Sequence, residues 1–216
     1  MLLAVALAVD CALLSYVQMW RPAVRLAQGR PEQSRGTASA GQRPHWPPGA
    51  TVRVWIDTRS APPYGTSLVE RAMKTWTDAA RGRLTLTRTD ARNDAAIRVL
   101  FISSDTNYGE TAPRVDRATR LIISADVAIN ADIAAEALTA RVIIYLTALH
   151  ELGHALGLPH TDDFADIMYR FRRPDDGERY FGAFRQRVRS ADDIGSASAT
   201  GLSPADIATL TQLYER

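Results

Sequence analysis

The chain has 216 residues, 46% of them hydrophobic, which is enough for one packed domain with an extension. Lys and Arg total 26 against 24 Asp and Glu, a formal net charge of +2; that balance excludes the strongly basic footprint of a nucleic-acid binder. The single cysteine, Cys11, excludes a disulfide within the domain.

In chain order, residues 1–20 are apolar apart from Asp10 and a few polar residues near the end. They read as a hydrophobic signal peptide or membrane anchor. No basic residue precedes the segment, and Asp10 in mid-span would cost about 2.5–3.5 kcal/mol on insertion scales. Arg21, Arg25, Arg30 and Arg35 follow it; by the positive-inside rule they oppose export of what comes after. Residues 21–43, rich in Arg, Gly, Ser and Ala, read as a flexible linker or a short propeptide. The domain itself is expected over 44–216.

A proline-rich lead-in, residues 43–49, opens it. Val52, Val54 and Ile56 alternate with other residues and predict a first strand over 51–57. Pro62 and Pro63 break that strand. Ser67 with Glu70 reads as a capping box, followed by a helical stripe of Leu68, Val69, Ala72, Met73 and Trp76. Residues 84–87 and 96–101 read as two further strands. The segment 119–130 reads as strand interrupted at Ala125 and Asp126. A long helix is expected over 134–156, and its middle, Val142 to Leu146, is apolar nearly all round, as befits a core helix. After residue 172 comes a long polar loop. Ser203 and Pro204 then start a last helix, with Ser203 as N-cap and Ile207, Leu210 and Tyr214 on its buried face. Periodicity alone gives an α+β class.

The densest chemistry lies between His150 and His160. His150 and His154 are four apart, so on a helix they share one face and can hold one Zn²⁺ at about 2.0–2.1 Å each. Glu151 is directed beside that metal, where a carboxylate can take a proton from an activated water and pass it to the leaving amine. Gly157 permits the left-handed turn that ends a helix sharply, and His160 can then return to the metal. Three protein ligands with an open fourth position are the catalytic zinc pattern; a closed structural site has four, often cysteines. A lone pair of histidines at this spacing would mean little. The acid, the glycine and the third histidine at their offsets make chance a poor account.

With Met168 following in the run Asp166, Ile167, Met168, Tyr169, this resembles the metzincin signature and its Met-turn. Thr161 directly after the third histidine, and Tyr169 directly after the methionine, resemble the matrixin branch, the matrix metalloproteinase type. That resemblance implies a matrixin-like catalytic domain: a twisted, mostly parallel sheet, a long central zinc-binding helix and a C-terminal helix. It implies a zinc-dependent endopeptidase with one catalytic zinc on His150, His154 and His160. Glu151 would be the general base, Met168 an apolar floor, and Tyr169 part of the wall of the pocket beside the zinc. The substrate would be a protein or peptide bound along an edge strand within Tyr108–Ile129, the chain a monomer, and its setting extracellular or membrane-anchored because matrixins act outside. The alternative is a catalytically silent zinc-bearing module that binds proteins.

The chain departs from the family in several places. Arg170, Phe171 and Arg172 replace the proline-containing wall run, which leaves side-chain preference open. Only His45 remains for a second, structural zinc, so that site is expected to be absent and His45 an ordinary lead-in residue. Calcium is left open: Asn130, Asp132 and Glu136 fall where matrixins cluster acidic ligands, but they offer few oxygens. Their ordinary role would be as loop and helix-start polar groups. Cys11 lacks the context of a latency cysteine. The arginines at 170, 172, 173, 185, 187 and 189 form either a basic rim favouring acidic peptides or, the favoured reading, a solvated loop neutralised by Asp175, Asp176, Glu178, Asp192 and Asp193.

Overall fold

In the first strand, β1 (Thr51–Ile56), every second side chain is buried, which is what a period of two demands of a strand with one face on a core. The computed structural model describes residues 43–105 and 107–215. The expectations for residues 1–20, and for all but the last of 21–43, lie outside the described residues. Among those described, no helix is long and apolar enough to cross a membrane.

β1 pairs in parallel with β2 (Thr85–Arg88) on one side and β3 (Ile97–Ile102) on the other. Next in sequence come β4 (Gly109–Val115) and β5 (Ile122–Asn130). β5 is parallel to β3, and β4 closes the sheet as an antiparallel edge, giving the order β2-β1-β3-β5-β4. The sheet is therefore mixed and mostly parallel, as expected. Ala125 and Asp126 do not interrupt β5. Ala125 is fully buried, and Asp126 sits in register with Arg98 of β3. Its carboxylate accepts from Nε and Nη2 of that arginine at 2.6 and 3.1 Å, so a charge in mid-strand is tolerated as half of a cross-strand pair.

The helices are α1 (Gly65–Ala80), α2 (Ala137–Ala155), α3 (Asp176–Arg185) and α4 (Pro204–Tyr214). The α1 stripe is buried as anticipated, but the capping box is not formed. The helix starts two residues before Ser67 because the turn at Pro62 already supplies a carbonyl to Gly65 N at 2.8 Å. Ser67 donates back to Tyr64 O, and Glu70 pairs with Arg88. α2 begins later than expected, where the Glu136 side chain accepts from Leu138 N and Thr139 N. From Val142 to Leu149 every α2 residue is buried. α1 crosses it through Trp76, whose indole donates to Leu149 O at 2.8 Å, and through Thr75 and the Tyr145 hydroxyl, 3.0 Å apart.

Most of the stretch read as polar loop is loop, but it contains α3, whose Phe181 and Phe184 enter the core. α4 begins as expected at Ser203 and Pro204, with a full capping box completed by Asp206. Leu210 and Tyr214 are buried with Leu213, while Ile207 is only partly covered.

Candidate metal centre

α2 ends in a Schellman motif that builds half the site. Gly157 N donates to His154 O at 2.9 Å and Leu158 N to Gly153 O at 3.0 Å. Gly157 adopts φ +95°, a conformation that side-chain-bearing residues rarely take. The reversed chain brings Leu158 O to 2.9 Å from His154 Nδ1. His150 Nδ1 stands 2.6 Å from Ile167 O in the same manner. A carbonyl only accepts, so both Nδ1 atoms carry the proton and both Nε2 atoms present lone pairs.

His160 completes the group. Its Nε2 lies 3.2 Å from that of His154, and one ligand atom from each of the three histidines falls within 4.8 Å of the others. Tetrahedral Zn–N bonds of about 2.0–2.1 Å place ligand nitrogens roughly 3.3 Å apart, so the donor set fits zinc. Burial, with a neighbouring imidazole, holds His150 down to about 4 and His160 to about 4, and burial lowers His154 as well. All three rings are therefore neutral near pH 7, the form that binds metal.

Met168 is buried against α2: a Cβ on Gly153 would fall 2.5 Å from its sulfur. Its turn is closed by Tyr169 N donating to Asp166 O at 3.2 Å and joined to the third-histidine segment by Thr161 N donating to Met168 O at 2.8 Å. Asp206 of α4 fixes the same turn from behind, accepting from Ile167 N at 2.9 Å and Met168 N at 3.4 Å. Ser203 Oγ donates to Asp166 Oδ1 at 2.6 Å. The cap of the last helix thus orients the carbonyl that orients His150.

Glu151 is 6% exposed and lies in the same cleft of about 590 Å³ as the three histidines. Thr111 on the edge strand β4 donates to its Oε2 at 2.7 Å. Burial pushes the Glu151 carboxyl up to about 7, against the pull of that hydroxyl; a divalent cation beside it would draw it down again. Gly109 lets β4 come this close, since a Cβ there would meet Glu151 Cγ and Thr147 Cγ2, each at 2.7 Å. Neither Thr111 nor Gly109 carries a sequence signal, because nothing local joins them to residue 151.

Tyr169 is among the residues that line the cleft, and its hydroxyl donates to Asp176 Oδ2 at 3.0 Å. Tyr180 and Phe181 of α3 line it too, a contribution the loop reading missed. Asp176 is not a solvated neutralising acid. It is 1% exposed and also accepts from Arg172 N and Arg173 N at 2.8 and 2.9 Å. His45 lies apart, buried in a bridge to Leu121, with Nδ1 3.0 Å from Arg43 O and its ring edge-on to Tyr214. Asn130 is engaged with Ser104 and Asp132, and Glu136 caps α2.

The solved structure of myroilysin is similar at 15% identity with a TM-score of 0.48, over 80% of this chain and 96% of that one. No curated protein matches the sequence. The family model described as Matrixin matches residues 64–181, more than half of the chain. That span holds the three histidines, Glu151 and Met168, and the chain belongs to the matrixin family of zinc metalloendopeptidases.

Proposed function

We propose that His150, His154 and His160 hold one catalytic zinc ion and that Glu151 is the general base for hydrolysis of peptide bonds in proteins. The observation that carries this is the placement of a buried, single-handedly anchored carboxylate in one cleft with three neutral imidazoles whose free nitrogens converge. A bound zinc ion would supply Lewis acidity, polarising a carbonyl and lowering the pKa of water.

The residues do the rest. Thr111 occupies one oxygen of Glu151, and no hydrogen bond holds the other among the described residues. That oxygen takes the proton of the attacking water and returns it to the departing amine. β4 is an edge strand with one side unpaired in the sheet, so a substrate can add to it through main-chain hydrogen bonds. Tyr169 and Tyr180 give the adjoining pocket apolar walls.

Two measurements on the full chain test this: metal content, and cleavage of a peptide library with and without chelator. One zinc per chain and chelator-sensitive cleavage are expected; full zinc with no cleaved peptide would leave only the silent binding module. Removing the metal should also loosen the fold. Zinc at a hundredfold excess over Kd is expected to restore about 2.7 kcal/mol, read as a rise in Tm, whereas an unmoved Tm would deny the site.

A further inference from the structure

The arginine-rich stretch after the Met-turn reads in sequence as a solvated, self-neutralised loop. The structure sorts those arginines into two groups. Arg172 pairs with Asp162, Arg185 with Glu136 and Arg189 with Asp193. Arg179 lies 3.8 Å from Asp176 and over the Phe164 ring, and Arg187 lies over Phe184. Arg170 and Arg173 form no ion pair among the described residues, and both line the cleft that holds the histidines and Glu151. The Arg172 N–H and, to a lesser degree, the Arg173 charge help hold the Asp176 carboxyl down, but Arg173 makes no ion pair with it, and Asp176 Oδ2 is already taken by two backbone N–H groups and the Tyr169 hydroxyl.

The cleft is also narrowed beside these two residues. Tyr108, ahead of β4, reaches Gly177 of α3, where a Cβ would come within 3.0 Å of its ring. It packs edge-on to Phe171 and Phe181, with centroids 6.3 and 4.8 Å away. A peptide running along β4 meets Glu110 on the strand side and two guanidiniums without an ion pair on the other, with Tyr108 and Phe171 lining the cleft beside them. Both arginines are solvent-exposed at the rim of the cleft, and a guanidinium there is a fork for a carboxylate.

Resting on the peptidase reading for the nature of the ligand, we propose that Arg170 and Arg173 form a carboxylate clamp. It makes the cleft selective for peptides with a carboxylate close to the scissile bond. The carboxylate can come from an Asp or Glu side chain or from the C-terminus of the peptide itself.

The test is binding, separate from turnover. Full-length Glu151→Gln protein with zinc is titrated with matched fluorescent peptides. One arm compares Glu with Gln at each position around the cleavage site in peptides with amidated ends; the other compares a free C-terminus with an amide. About tenfold tighter binding of the carboxylate member is expected in at least one arm. The preference should shrink with salt and vanish in Arg170→Gln/Arg173→Gln. The first arm responding alone assigns side-chain recognition, and the second alone assigns end recognition. Equal binding of acid and amide in both arms would overturn the clamp, as would a preference that survives the double substitution. A clamp found alongside a wild-type chain that cleaves nothing would instead sink the peptidase reading and leave the clamp standing.

Discussion

Glu151→Ala is expected to cut peptide turnover by about 10²–10⁴-fold, the usual worth of a positioned acid–base group, with zinc still at one per chain. The ligands do not depend on this carboxylate: His150 and His154 are held by Ile167 O and Leu158 O. Thr111 keeps its second acceptor, Glu151 O, at 2.9 Å. Glu151 is a buried carboxyl whose charged form is penalised by desolvation, so removing it relieves a cost even as it opens a small void. Tm should therefore hold or rise, the signature of a residue kept for chemistry rather than stability. Glu151→Gln keeps the shape and still accepts from Thr111, yet should be equally inactive. Turnover within about tenfold of the parent in either variant, at full zinc, would refute the assignment.

Gly157→Ala should be the most damaging small substitution. A Cβ there would lie 2.1 Å from the backbone oxygen of Pro44, and backbone cannot swing aside as a flexible side chain can. The positive φ adds about 1–3 kcal/mol of strain and the overpacking about 1–3 kcal/mol more. Relief can come only by shifting the turn, and the turn carries both Leu158 O, which holds His154, and the path to His160. A loss of about 2–6 kcal/mol in urea unfolding is expected, together with weaker zinc binding. Gly182→Ala is the control: nothing lies within 4 Å of its Cβ position, so in a helix the change should be neutral or stabilise by about 0.5–1 kcal/mol. Equal effects of the two substitutions would mean that the turn is not constrained as described.

What could be read from the sequence was what is encoded locally. His150, Glu151, His154, Gly157 and His160 fall within eleven residues, and one helix and one turn set their relation. The α1 stripe and the Ser203 cap were legible for the same reason. β4 was not, because Gly109, Glu110, Pro113 and Arg114 deny it the alternation of a half-buried strand; an edge strand can carry such residues because one side makes no ladder. α3 was hidden by two glycines and its charges, although Tyr180, Phe181 and Phe184 hold a helical spacing that could have flagged it. The Ser67 and Glu70 box failed because the prolines before it had already turned the chain. Thr111 on Glu151 and Asp206 on the Met-turn are contacts across 40 and 39 positions, and no pattern within either segment announces them.

The far end of α2 is sealed by two distant parts of the chain. Trp46 Nε1 donates to Ala155 O at 2.9 Å, Tyr214 OH donates to Leu156 O at 2.8 Å, and Trp46 N donates to that same hydroxyl at 3.3 Å. The carbonyls that follow His154 are thus closed off by residues 168 positions apart. The end of the helix that carries His150 and His154 is therefore latched from both flanks of the domain at once. A nick that frees either flank is expected to unseal this latch and lower peptide turnover. In a limited-digestion time course, flank integrity and peptide turnover should fall together; activity that outlasts the loss of both flanks would contradict the latch.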